Sequence, residues 1–448
     1  MLRLVIISII FSILVLFSSW AVNNSYIISI AYKEFIFSTS SSYLIALAIF
    51  ILLLIFFVQS FYFKISNKFI KFNINKKLNN KEKGFDSFIQ GMISLINKDF
   101  KAAVIENKKV SKYLKNSTLD LLLKSETLKI QKNYTELNLI YEKMITNEKT
   151  KLLGIRGLME QYLKDQDYHH ALIYGEKLFA LSPHIEKIYD TLIYIIGRTN
   201  NWQNLIQINE RAIALRIIDK NTYSINKSIA LYEIAKIKSL NELKESIHLM
   251  EKALNLRKNF PPYVAFYMDL LIENKKYNFA KKYITKVWND SPHPEYKSQI
   301  KKLSENSGED IYKLVQYISA KTKSEYLSKI LITESLITNN QWDSARKELS
   351  ELLQHRPEKE VCLLMSKIEE GDSNDKQKID SWLSRANFGE IGNLWICSVT
   401  NISQKEWTSV SEAGHFNSLE WKKPSIIDVT ANPSYKKNIL NNNKNYEN

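Results

Sequence analysis

The chain has 448 residues, with only 11 Gly and 8 Pro. That is longer than one compact core usually serves, and so little turn punctuation argues against a β-sandwich or a doubly wound α/β enzyme and for long helices joined by short loops. The formal charge of +15 comes mainly from lysine, a poor reader of base edges, so nucleic acid is not expected as a partner.

The first expected element is a membrane span from Leu4 to Val22, without a charged residue. As a helix it reaches roughly 28 Å, about the hydrocarbon thickness. Arg3 also suits the start of a signal peptide, but the apolar run is long, no small-x-small site follows it, and a second run comes after. That second span runs from about Ser42 to Phe63, uncharged until Lys64. The linker between them, Asn23 to Ser41, is rich in β-branched and aromatic residues and is expected to form a strand or hairpin. Beyond the second span stand Lys64, Lys68, Lys71, Lys76, Lys77, Lys81 and Lys83 against Glu82 alone. The positive-inside rule then puts both chain ends in the cytoplasm. The same stretch, Lys64 to Lys83, is a candidate contact for anionic lipid of a bacterial inner membrane.

From Gly84 on, one pattern recurs: a polar residue, an aromatic, two further residues, then a small or apolar one. It appears as Asp99-Phe100 with Ala103, Asn133-Tyr134 with Leu137, Asp167-Tyr168 with Ala171, and Asn201-Trp202 with Leu205. The rings fall every 34 residues, the tetratricopeptide period. Lys276-Tyr277 with Ala280 and Gln341-Trp342 with Ala345 continue the register, with a weaker copy at Leu243 and Ser246. Pro183, Pro292 and Pro357 each follow their aromatic by fifteen residues, where a second helix should end. Helix pairs are therefore expected at 84–117, 118–151, 152–185, 186–219, 227–260, 261–294 and 326–359. Residues 220–226 should be a longer loop, and 295–325 an eroded pair, helical around Ile311 to Ile318.

After a helix carrying Trp382, the texture changes to spaced aromatics: Trp395, Trp407, Phe416 and Trp421. A small module with strand character is expected, then a disordered Asn- and Lys-rich tail from about Ser425. The expected organisation is mainly α. It comprises a two-span anchor (1–65), a basic juxtamembrane segment (66–83), a tetratricopeptide-like superhelix (84–370), a helix with a small module (371–424) and the tail (425–448).

Chemistry is scarce. Gly154/Gly157 and Gly389/Gly392 lack the rest of a phosphate-binding fingerprint. His169-His170 reads as solvated helix surface. The two cysteines, Cys362 and Cys397, are too few for a disulfide framework. Cys397 would begin a zinc knuckle, but Thr400 stands where a second thiolate is needed, and Ser411, Gly414 and His415 follow downstream. A catalytic pair of Cys397 with His415 has no orienting acid beside it. No catalytic residue, metal or cofactor is expected.

The two spans are followed by Lys83-Gly84-Phe85-Asp86, Leu152 to Leu158 (LLGIRGL), Trp342-Asp343-Ser344-Ala345-Arg346 and Ser381-Trp382-Leu383-Ser384-Arg385-Ala386. In this order they resemble the HemY-type tetratricopeptide membrane proteins in their alphaproteobacterial form, a family unrelated to the flavin oxidase of that name. The tail is similar to the zinc-ribbon end of some relatives, with most cysteines missing. The resemblance implies an inner-membrane protein linked to late haem biosynthesis that organises protein partners. Porphyrin handling, or an adaptor role in envelope lipid synthesis, are the other readings. On the first reading, the first helix of each pair offers Arg156, Glu160, Asp190, Tyr194 and Arg198 to a partner.

Overall fold

An apolar run without Gly or Pro has nothing to interrupt its helical hydrogen bonds, and α1 covers Leu2–Asn23. The computed structural model describes residues 2–24, 26–32, 35–353 and 358–424. The expected linker hairpin is present. Strands β1 (Ile27–Tyr32) and β2 (Phe35–Ser40) pair antiparallel, Ile27 opposite Ser40 and Tyr32 opposite Phe35. Ser40 then caps α2, its Oγ accepting from the Ser42 N–H at 3.4 Å.

Helix α2 runs unbroken over 56 residues, Ser41–Ile96. It contains a window of mean hydropathy 2.9, none of it buried, and is long and apolar enough to cross a membrane. The basic stretch expected as a separate segment at 66–83 is the middle of this helix. No Gly or Pro lies between Lys64 and Lys83 to end it, and lysine is a good helix former.

The chain divides into two compact units, Met1–Leu137 and Asn138–Asn448. The first contains α3 (Phe100–Tyr113), α4 (Thr118–Gln131) and the start of α5 (Tyr134–Ile145). The second continues with α6 (Lys151–Lys164), α7 (Tyr168–Leu181), α8 (Ile188–Thr199), α9 (Trp202–Ala214), α10 (Lys220–Lys238) and α11 (Leu243–Leu256). Next come α12 (Pro261–Glu273), α13 (Tyr277–Asp290), α14 (Lys297–Ser307), α15 (Ile311–Ile318), α16 (Tyr326–Thr338), α17 (Trp342–Ser350), α18 (Lys359–Asp372) and α19 (Lys376–Phe388). The expected eroded pair at 295–325 is α14 with α15.

The 34-residue step is a step between helix N-termini. Phe100, Tyr134, Tyr168, Trp202, Leu243, Tyr277 and Trp342 each begin the second helix of a pair. The polar residue before the ring does local work. The side chains of Asp99, Asn133, Asp167 and Asn201 accept the N–H three residues on, at 3.1–3.4 Å. The small or apolar residue three places after the ring is buried in every copy, from Ala103 to Ala345. Helix pairs in this register make the array tetratricopeptide-like. Pro183 and Pro292 lie just beyond α7 and α13; Pro357 lies outside the described residues.

The structure makes two further corrections. Residues 220–226, expected as a loop, are the first turns of the 19-residue α10. Asp219 caps it, accepting from the Thr222 N–H at 2.7 Å. The seven residues in excess of the register lengthen the helix, and Asn226 among them joins a buried relay: Asn226 Nδ2 donates to Tyr189 Oη (2.9 Å), Tyr189 Oη to Asn209 Oδ1 (3.0 Å), and Asn209 Nδ2 to the Tyr223 carbonyl (2.8 Å). Tyr189→Phe strands the Asn209 oxygen and the Asn226 amide together, so about 1–3 kcal/mol of the second unit's stability should be lost in a denaturant titration. The second correction is to the expected domain boundary at 370/371, which cuts a helix pair. Helices α18 and α19 pack on each other. Their second member begins at Lys376, 34 residues after Trp342, capped by Asp375 in place of a ring signature.

In the C-terminal module, β3 (Leu394–Cys397) is the central strand between β4 (Ser403–Gln404) and β5 (Leu419–Lys422), both antiparallel to it. Trp395 stands opposite Gln404 on one side and Trp421 on the other. Its buried residues Trp395, Cys397, Trp407 and Leu419 belong to the same hydrophobic core as α10 to α18.

Candidate functional site

First helices of successive pairs share one face of the repeat, and the sequence places all five candidate residues there. Arg156 and Glu160 stand one turn apart on α6 and bond to each other, Nε to Oε1 at 2.7 Å. With Thr191 of α8 they line a cavity of about 380 Å³ whose wall includes Met159, Leu163 and Ile185. Asp190 is exposed and lines a separate hollow of about 550 Å³ with Tyr189, Ile218 and Thr222. A third cavity, of about 310 Å³, opens between α14, α16 and α18. Ile300, Leu331 and Leu364 form its floor; Lys301 and Lys367 stand at its rim. Beneath them Lys297 bridges Glu334 (3.2 Å) and Glu360 (2.6 Å). Burial raises the Glu334 carboxyl, and Lys297 pulls it back down.

Close packing of α6 explains its two glycines. A Cβ at Gly154 would lie 2.7 Å from the Tyr141 carbonyl oxygen of α5, and one at Gly157 would enter the Tyr141 ring. The Gly-Ile-Arg-Gly run therefore serves helix approach.

Between the cavities the same face is covered by the chain's own C-terminal module. Arg198 of α8 lies over the rings of Tyr194 and Tyr168, 5.5 and 6.0 Å from their centroids. Its Nη2 donates to the Ala413 carbonyl at 3.3 Å. Of the five candidates, Tyr194 and Arg198 are thus already engaged from within. Val410 packs on Gly197 of the same helix. Further along, Trp407 sits among Tyr232 of α10 and Phe260 and Tyr263 at the start of α12, with centroids at 5.6, 5.0 and 5.9 Å. Trp395 meets Phe260 at 6.0 Å and donates its Nε1–H to Glu295 Oε1 at 2.7 Å. Trp421 lies 4.6 Å from the His293 ring. The module therefore grips α8, α10, α12 and the segment before α14.

No family model and no curated protein matches the chain. Among solved structures it is similar to one of Naa15/Naa10 bound to HypK-THB, with 14% identity and a TM-score of 0.41. That likeness covers 69% of this chain and 49% of the other, so the chain spans about half the length of that relative. It is also similar to a tetratricopeptide repeat protein from Parabacteroides merdae, with 12% identity and a TM-score of 0.26 over 55% of this chain and 98% of that one.

The module sets hydroxyls beside the one thiol of the eroded knuckle. Two tight turns face each other, one after Cys397 and one after Ser411, closed by Asn401 N–H to Cys397 O (2.8 Å) and Gly414 N–H to Ser411 O (2.7 Å). Cys397 Sγ lies 3.2 Å from Ser418 Oγ and 3.8 Å from Ser411 Oγ. One thiol among hydroxyls does not fit a structural zinc. Among the described residues no group of three or more His, Cys, Asp or Glu is placed to hold a metal. Hydrogen bonds join the turns in its stead. Burial pushes the Cys397 thiol up, and the Ser418 and Thr400 hydroxyls with the Thr400 and Val399 N–H groups more than offset it, bringing the thiol down to about 7. His415 joins this network through its backbone, its N–H donating to Ser411 Oγ at 3.1 Å and its carbonyl accepting from Ser418 Oγ at 3.1 Å.

Gly414 has φ +87°, and a Cβ there would strike the Arg198 guanidinium. Gly414→Ala should cost about 1–3 kcal/mol through backbone strain alone. Denaturation midpoints of the variant and of Gly414→Ala with Arg198→Ala together should show part of the loss recovered when the guanidinium is removed.

Two features of this face lay beyond sequence reasoning. His293 is buried and Glu295 half-buried beneath the module; the signal was their spacing about Pro294, which opens a short turn where His293 Nδ1 accepts the Glu295 N–H at 3.3 Å. Tyr232, Phe260 and Tyr263 read as ordinary core, and nothing in their spacing announces the indole they receive.

Proposed function

We propose that the chain is a membrane-anchored scaffold that holds protein partners on the first-helix face of its repeats and performs no chemistry itself. The observation that carries this reading is the pair of cavities left open on either side of the module. Each combines an apolar floor with a charged rim: Arg156 and Glu160 at one, Lys301 and Lys367 at the other. Such surfaces suit a segment with apolar anchors and flanking charge.

In this reading α1 and α2 are two spans of a bacterial inner membrane, with the repeats in the cytoplasm as the lysines after Phe63 favour. The resemblance to HemY-type proteins supports partners among the enzymes of late haem biosynthesis. The test is a photo-crosslinking residue placed in cells at Glu160, at Thr338 in the cavity of Lys301 and Lys367, and at Lys177 on α7 as a control. Adducts should form from the first two positions and fade when Arg156→Glu is added at the first. Equal capture from Lys177 would sink the groove reading; partners outside porphyrin metabolism would sink the haem association while leaving the scaffold standing.

A further inference from the structure

A helix that merely spaces two bodies in water is polar all round. The part of α2 that follows its apolar run is not. Ile65, Phe69, Ile70, Phe72, Ile74 and Leu78 are each more than half exposed, and the first buried residue of the helix is Gly84. Over Lys64 to Lys83 they are interleaved with seven lysines and one acid, Glu82. At 3.6 residues per turn, Lys64, Lys68 and Lys71 fall in one strip, and Ile65, Phe69 and Phe72 fall in the strip beside it. One half of the helix thus carries both basic and large apolar side chains, the composition of a segment that rests in a membrane interface.

We propose that this half of α2, from Lys64 to Phe72, lies against the anionic headgroups of the bilayer that the same helix crosses. The proposal rests on α2 being a span. The run from Tyr43 to Phe63 makes about 31 Å of helix, matching the hydrocarbon layer, so Lys64 begins at headgroup level. A tilt toward the Lys/Phe side carries the Phe69 and Phe72 rings into the interface, while the lysine stems extend to phosphates. The charge ratio selects this occupant. A second copy packed symmetrically on the same strip would set Lys64, Lys68 and Lys71 against themselves.

The full chain carrying Phe72→Cys is labelled with a polarity-sensitive dye; the two native cysteines are buried. It is placed in nanodiscs of phosphatidylcholine, alone or mixed with phosphatidylglycerol. The expected result is a blue-shifted emission in the mixed discs that reverses on adding Lys64→Gln, Lys68→Gln and Lys71→Gln together, and in high salt. Emission that is the same in both discs, or a shift that survives the three substitutions, overturns the headgroup contact alone. A shift that instead grows with copies per disc overturns it in favour of self-association. A chain stripped from membranes by alkaline carbonate overturns the span, and the contact with it.

Discussion

Trp407→Ala should destabilise the second unit by about 3–5 kcal/mol and turn one cooperative unfolding step into a broad or split one. The size follows from burial. The indole is 5% exposed and makes edge contacts with three rings, Tyr232, Phe260 and Tyr263. The change in cooperativity follows from connectivity. Repeats of this kind touch only their neighbours, so their stability is a chain of local terms. Here the module touches α8, α10, α12 and the segment before α14 at once, which couples pairs that sequence order keeps apart. Trp407→Phe separates the two effects. It keeps a ring in place and removes an indole N–H that has no hydrogen-bond partner among the described residues, so only the smaller void left by the lost ring remains, and its cost should be about 1–2 kcal/mol. Guanidinium titrations of the detergent-solubilised chain, followed by circular dichroism, read both quantities. A single sharp transition in Trp407→Ala would show that the repeats cohere without the module.

The repeat was legible because its signals are local. A ring at a helix start, a cap before it and a small residue after it all fall within five positions, and the register from Phe100 to Trp202 needs no tertiary knowledge. Two helix starts that lack the ring keep an aspartate cap at the 34-residue step, Asp310 before Ile311 and Asp375 before Lys376, whereas Glu242 before Leu243 makes no side-chain cap. The extension of α10 was hidden for a different reason. Seven residues in excess of the register read as a loop, and only Tyr189, 37 positions before Asn226, shows by accepting its amide that they extend the helix. That part of the candidate face is filled from within the chain was not legible. Trp395 and Glu295 meet across 100 residues, and no periodicity encodes a fold-back of that span. The tail's aromatics were read as a module's own core; they are also the module's grip on the repeats.

The sharpest consequence of that grip lies at Glu295. Burial raises its carboxyl to about 7, with the Trp395 N–H pulling it down and Glu406 adding to the rise; the same burial lowers the facing His293 to about 4. In the unfolded chain Glu295 ionises near 4.5, so its contribution to stability is lost as pH climbs from 4.5 through 7. The full cost above that is about 3 kcal/mol. His293 works in the opposite sense. Its ordinary value is 6.5, so stability is lost as pH falls from 6.5 through 4. The two losses nearly cancel across this range, which leaves the wild-type pair with little net pH dependence. Glu295→Gln keeps an oxygen for the Trp395 N–H and removes only the first loss. The variant should therefore be more stable than wild type by up to about 3 kcal/mol at about pH 8 and indistinguishable from it near pH 4. Its stability should fall on acidification below 6.5, where His293 alone now speaks. Denaturation midpoints across that range decide it. An equal gain at both ends would mean that water reaches the carboxylate, and that the module does not seal the face it covers.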